Sequence, residues 1–272
     1  MRGISERHNG GVELAYDARA YWTSYYKAQL RGPAGDWITV GAGTEVESRF
    51  HYNATENSII RAMLRREPVG GMTAAVWRFV QERSGRRLLD IGSGTGHWID
   101  FFRQVFRVAR VVGVELAPQM ADRLREKYAG DAAVAIHALD VSDSRFDLSG
   151  ERFDLISAIG VMFHIIDDDR WHRAVGNLAG VLASGGIVIV GGDFGTETRN
   201  VQFHGSDHFE SWNEQAASMA DKNRVNKRVR SLADWHKAAA DHGLAIADLV
   251  RSDQEPGIAT PENDILVLSR AP

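Results

Sequence analysis

The sequence predicts an α/β fold: a seven-stranded, mostly parallel sheet in the order 3-2-1-4-5-7-6 with its last strand antiparallel. Three observations carry this. Short apolar runs alternate with amphipathic segments from about Arg87 to Asp193, which reads as repeated strand–helix units. The runs are continuously apolar rather than alternating, as strands buried on both faces of a parallel sheet are. Finally, Leu244–Val250 and Asp264–Ser269 follow with no helix between them, which permits only an antiparallel return.

The five units place strands at Leu88–Ile91, Arg110–Val114, Ala132–Ile136, Phe153–Ser157 and Gly186–Val190. One helix opens at Pro118, a favoured first helical position, and runs through Met120, Leu124 and Tyr128. Another spans Asp168 to Leu182, with Trp171, Val175, Leu178 and Leu182 at helical spacing, and stops at Gly185-Gly186. A third, Ser231 to His242, is closed by Gly243. Residues 12–85 read as helical, with an aromatic cluster of Tyr16, Tyr21, Trp22, Tyr25 and Tyr26 and helix candidates at 47–66 and 72–83. Phe194 to Arg230 is polar, aromatic and basic with little strand pattern, and so long an excursion is commonly a lid or substrate loop. The domain expectation is therefore a helical lid and acceptor region over 1–70, then a core over 71–272 with a lid insertion at about 194–230.

Composition narrows the function. A net charge of -4 gives no global attraction to nucleic acid or anionic lipid. The 272 residues contain no cysteine, which removes disulfides, thiolate metal sites and cysteine nucleophiles together and suits a cytoplasmic setting. No run approaches the ~18–20 apolar residues needed to span a membrane, and the N-terminus lacks the apolar core of a signal peptide.

The most informative segment is Leu88-Leu89-Asp90-Ile91-Gly92-Ser93-Gly94-Thr95-Gly96, followed by a helix beginning near His97-Trp98. Glycines permit a tight turn and close ligand approach, and a helix N-terminus offers unpaired N–H groups. The dinucleotide pattern needs a glycine three positions after Gly94, where His97 stands, so a nicotinamide oxidoreductase fits poorly. Glu115 ends the next strand 25 residues after Asp90, and Asp140 follows the third strand 25 residues later. Acids at the carboxyl ends of successive parallel strands converge on one sheet edge, where open α/β folds bind ligands.

This constellation resembles the class I S-adenosylmethionine-dependent methyltransferases, a Rossmann-like family, of small-molecule type. The resemblance covers about residues 85–193 well and 231–269 in outline. It implies S-adenosylmethionine as the cofactor. Asp90, Gly92, Ser93, Gly94 and Gly96, with Trp98 beside them, would cradle its amino-acid end. Glu115 would bind the ribose and Asp140 the adenine amino group, with Leu116 and Val141 against the adenine faces.

Methyl transfer from a sulfonium is an in-line displacement that rests mainly on proximity and orientation, and a hydroxyl acceptor usually wants a base. His164, just beyond the fourth strand, is the first candidate for that base, with loop packing as the alternative. His51 and Tyr52 are polar for a core helix face and are further catalytic candidates. Tyr21, Trp22, Tyr25 and Tyr26 on one side, and His204, His208 and Trp212 on the other, are candidates for the substrate pocket and lid. His204, Asp207 and His208 lack a third ligand pattern, so no metal is expected. Lys222, Arg224, Lys227, Arg228 and Arg230 would meet an acceptor anion or simply solvate a helix.

The resulting expectation is transfer to a small molecule, with no nucleic-acid or membrane partner and with self-association into a homo-oligomer left open. A second reading is an enzyme that cleaves another sulfonium bond and releases methylthioadenosine. A third is a nucleic-acid methyltransferase or a non-catalytic cofactor-binding module. The amino-group DNA methyltransferase motif is absent after the fourth strand, where Gly160-Val161-Met162-Phe163 stands.

Overall fold

Buried strands with both faces covered dominate the architecture. The computed structural model describes residues 17–29, 45–64, 85–192, 194, 201–204, 207–209, 226–252 and 264–271. Tyr16, the helix expected at 72–83, Trp212, Lys222 and Arg224 lie outside them. Two helices come first, α1 (Ala18–Gln29) and α2 (Glu45–Leu64). The alternating core follows as β1 (Arg87–Ile91), α3 (His97–Phe106), β2 (Arg110–Glu115), α4 (Pro118–Lys127), β3 (Val134–Ala138) and β4 (Phe153–Ile159). A 3-10 turn at Met162–His164 leads to α5 (Asp168–Val181) and β5 (Leu182–Gly192). Three short strands come next, β6 (Val201–His204), β7 (Asp207–Phe209) and β8 (Asn226–Val229). The chain closes with α6 (Leu232–Asp241), β9 (Leu244–Val250) and β10 (Asp264–Arg270).

The large sheet has seven strands in the order β3-β2-β1-β4-β5-β10-β9. β10 is antiparallel to both neighbours, while β3, β2, β1, β4 and β5 pair in parallel. With β9 and β10 counted as the sixth and seventh strands, this is the predicted order. Successive side chains feed opposite faces, as strand geometry requires. Leu89, Val112 and Ile156 join Trp171, Val175 and Leu178 of α5 and Trp235 of α6 on one side. Leu88, Val111 and Leu155 join Phe102 and Phe106 of α3 and Ile59 and Met63 of α2 on the other. Each fully buried aliphatic side chain contributes roughly 1.5–3 kcal/mol, so the two layers hold the strand ends rigidly.

Three local expectations need correction. The third strand starts at Val134 rather than Ala132, because Asp131 accepts the Ala133 N–H at 3.0 Å in a turn that delays the strand. The fifth starts at Leu182, where α5 passes directly into it; Phe153 pairs with Leu182 and Leu155 with Ile187, so Gly185-Gly186 sits in an irregularity within the strand. The stretch after Phe194 is not devoid of strands: β7-β6-β8 form a separate antiparallel sheet. Strands of three or four residues carry too little alternation to stand out in a sequence. No helix among the described residues is long and apolar enough to cross a membrane.

Candidate active site

The carboxyl ends of β1, β2 and β4, the loop after β3, and helices α1 and α2 enclose a cavity of about 910 Å³. Its floor is the glycine loop. Gly92 has φ +69°, and a Cβ there would lie 2.4 Å from Val161 Cγ2, so both backbone and space demand glycine. Gly92 and Ser93 donate their N–H groups to Val114 O at 2.7 and 3.2 Å. Gly94 N–H donates to Glu115 Oε2 at 2.9 Å, and Ala117 N–H to Oε1 at 3.0 Å. The amides expected to be open to a ligand are thus partly engaged by the neighbouring strand. Glu115 lines the cavity from 4% exposure, and burial pushes its carboxyl above the ordinary value against the pull of those N–H donors.

Asp90 is placed differently from the expectation that it faces a ligand. It is fully buried behind the loop, off the cavity wall, and Oδ1 accepts from Ser157 Oγ of β4 at 2.5 Å. Oδ2 has no hydrogen-bond partner, and burial pushes the acid up to about 7. Gly96 is also off the wall; a Cβ on it would meet Tyr128 Oη at 2.4 Å. Both residues shape the loop from behind. Ser93, Gly94 and Trp98 line the cavity, as do Leu116, Asp140 and Val141. Asp140 Oδ1 accepts the Ser142 N–H at 2.8 Å and its Oγ at 2.6 Å, and Oδ2 accepts from Arg170 at 2.6 Å.

The other wall is aromatic. Tyr21, Trp22, Tyr25 and Tyr26 of α1 all line the cavity. Tyr26 packs on Ala117 and Met120 after β2, while Trp22 meets His164 edge-on with centroids 5.0 Å apart. α1 therefore bridges the ends of β2 and β4 across the cavity. Burial raises the hydroxyls of Tyr21, Tyr25 and Tyr26, in Tyr26 with Glu115 adding to it, so all three are neutral at physiological pH. His51 of α2 lines the cavity beside Tyr52, whose ring stacks on His97 at 3.7 Å; His97 in turn bonds Glu56 at 2.8 Å. This stack joins α2 to the first residue of α3, directly after the glycine loop.

The basic run proves largely internal. Arg230, 3% exposed, donates to Ile165 O at 2.9 Å, to Ile166 O and to Asp168, and its guanidinium lies over Trp171. Arg228 pairs with Asp168 at 2.9 Å. These residues belong to a strand and its exit rather than a solvated helix, and they fasten the segment between the 3-10 turn and α5. Lys227 lines the cavity, with Nζ over the Phe163 ring. His204 and His208 fall on paired strands, His204 opposite Asp207 and Phe203 opposite His208. Among the described residues no group of three His, Cys, Asp or Glu is arranged to hold a metal. Sequence reasoning missed Arg170, Arg173 and His97 as cavity residues, while Lys227 is the member of the basic run that lines the cavity. The spacing of Arg170, Arg173 and Asn177 along one helix face was the available signal for the first two.

Comparison with known proteins agrees with this geometry. Residues 88–186 match the model of a methyltransferase domain family. A segment of 144 residues is 28% identical to a human protein described as probable tRNA methyltransferase 9B, covering 53% of this chain and 29% of that relative's length. Among solved structures, an S-adenosylmethionine-dependent methyltransferase from Clostridium acetobutylicum superposes with a TM-score of 0.54 at 14% identity, over 94% of this chain and all of the other. The amino pentose methyltransferase CalS10 from Micromonospora echinaspora, solved with S-adenosylmethionine bound, gives 0.52 at 20% identity over 90% and 96% of the two chains. Residues 88–186, which carry the glycine loop and the two acids, thus match a methyltransferase domain family, and the chain shares the fold of S-adenosylmethionine-dependent methyltransferases.

Proposed function

We propose that the protein transfers the methyl group of S-adenosylmethionine in line to a small-molecule acceptor. The supporting observation is that Ser93, Gly94, Glu115 and Asp140 share one cavity with the aromatic wall of α1. Small-ligand pockets run ~300–1,000 Å³, so a volume of about 910 Å³ accommodates cofactor and acceptor side by side. In this reading the glycine loop holds the amino-acid end, Glu115 the ribose hydroxyls and Asp140 the adenine amino group, with Leu116 and Val141 against the ring. The faces of Tyr21, Trp22 and Tyr25 stabilise the sulfonium and keep water from it. The work is orientation: the acceptor atom must sit ~3 Å from the methyl carbon, opposite the sulfur. His164, edge-on to Trp22, serves as a packing partner of that wall.

The 1–70 region and the insertion at about 194–230 are the proposed acceptor-side elements. They are represented at the cavity by α1 and α2 and by Lys227 of β8. A cytoplasmic setting fits a chain without cysteine. The human relative's name favours a second reading, an RNA acceptor. A net charge of -4 and the internal engagement of Arg228 and Arg230 weigh against it. The test is product analysis with a panel of small amines, alcohols and acids, alongside tRNA titrated over a range of salt. S-adenosylhomocysteine with a methylated small product supports the proposal. Methylthioadenosine points to the other sulfonium chemistry, and methylated tRNA to the second reading.

A further inference from the structure

One face of α5 is bonded to the loop that carries Asp140. Arg173 Nε donates to Ser142 O at 2.9 Å, and Asn177 Nδ2 donates to Val141 O at 2.7 Å and Asp143 O at 2.9 Å. Arg170 stands one turn earlier. It reaches Asp140 Oδ2 at 2.6 Å and Ser142 Oγ at 2.9 Å, its Nε adding a bond to that Oγ at 3.1 Å. A carboxylate offers about four acceptor positions. Ser142 fills two at Oδ1 and Arg170 one at Oδ2, which leaves a single position, on Oδ2. The carboxylate is largely covered, with 12% of the side chain exposed, and Leu116, Leu139 and Val141 line the cavity around it. One remaining acceptor position beside the side chains of Leu116, Leu139 and Val141 suits a flat ring that carries an exocyclic N–H donor.

We propose that Arg170 is a positioning residue for the nucleobase end of the cofactor. Its guanidinium fixes Asp140 so that the remaining position on Oδ2 meets the adenine amino group. This rests on the cofactor reading of the cavity and is independent of the acceptor. Arg170 need not touch the ligand, so its effect must run through that amino group and vanish when the group is absent. A lysine in its place keeps the charge but not the forked geometry that grips Asp140 and Ser142 together.

The experiment is a cycle of two changes, one in the protein and one in the ligand. Calorimetry measures S-adenosylhomocysteine and its 6-deamino analogue, with hydrogen in place of the amino group, on the wild-type chain, Arg170→Met and Arg170→Lys. Arg170→Met is expected to weaken S-adenosylhomocysteine roughly tenfold, as loss of one well-placed hydrogen bond to a charged group does, with Arg170→Lys intermediate. The deamino analogue is expected to bind wild type and both variants within about twofold, because no amino group remains to be positioned. Equal weakening of both ligands would mean that Arg170 only holds the loop together, and overturns the proposal. So does unchanged affinity for S-adenosylhomocysteine. If Arg170→Met does not fold, the same comparison on Arg170→Lys decides the matter. Failure of both ligands to bind the wild-type chain would instead refute the cofactor reading itself.

Discussion

The two walls of the cavity are built on different principles. The wall formed by the strand ends is polar, and its groups are already bonded to one another: Glu115 to Gly94 and Ala117, and Asp140 to Ser142 and Arg170, with Asp90 bonded to Ser157 behind it. The facing wall, from α1 and α2, is held by ring packing, with Tyr21, Trp22, Tyr25, Tyr26 and Tyr52 touching neighbours at centroid distances from 3.7 to 6.1 Å. Bonded polar groups have few satisfactory arrangements, because each unmade bond in a buried site costs about 1–3 kcal/mol. Ring contacts beyond area burial contribute about 0.5–1.5 kcal/mol each and tolerate small shifts. On the proposed reading, the first wall holds one invariant cofactor and the second adjusts around an acceptor.

The largest expected effect concerns Asp90. Its acid sits at about 7 in the folded chain against an ordinary 3.8, so the folded state keeps a proton that the unfolded state gives up between those values. Stability therefore falls as pH rises from about 4 to 7 and levels off above, by roughly 4 kcal/mol for that shift. Asp90→Asn cannot ionise. The ligand-free variant should melt well above wild type at pH 8, with the gap closing toward pH 4 in scanning calorimetry. Parallel melting curves for the two chains across that range would show that Asp90 is not a buried acid.

Next in size is Glu115→Ala, expected to weaken S-adenosylmethionine by ~1–3 kcal/mol in isothermal titration. The Gly94 and Ala117 N–H groups lose their acceptor at the same time, so the loss should exceed that of any single substitution on the aromatic wall. Trp22→Ala should change cofactor affinity by less, ~0.5–1.5 kcal/mol, and should lower turnover through poorer exclusion of water. A Trp22→Ala loss in cofactor affinity as large as that of Glu115→Ala would erase the distinction between the walls. The smallest effect is expected for His164→Gln, which retains a planar side chain beside Trp22. If packing is its role, turnover falls only about two- to threefold, within the value of one aromatic contact, and the pH profile keeps its shape. Loss of a rising limb near neutral pH would instead identify His164 as a base.

The same contrast explains what could be read in advance. The polar wall repeats along the chain: an acid at each strand end, 25 residues apart, beside a glycine loop whose spacing is itself a pattern. Parallel strands bring such residues to one edge whatever the side chains do. Arg170 stands 30 residues from Asp140, and His97 lies 41 residues from Glu56, with no common spacing. The basic run misled for a related reason. Charges along a segment say nothing of direction, and β8 and its exit turn Arg228 and Arg230 to carbonyls and Asp168 but Lys227 to the cavity.

By itself the sequence determined the strand order and the acids at the strand ends, because apolar continuity and strand-end position are local properties of the chain. Only the tertiary structure decided that Asp90 turns away to Ser157, that Arg170 grips Asp140, and that Trp22 of α1 comes to rest on His164. Those outcomes depend on which surfaces meet when helices pack on the finished sheet. A side chain's partner across such a contact is set by the shape and register of both elements, not by the residues adjacent to it in the chain.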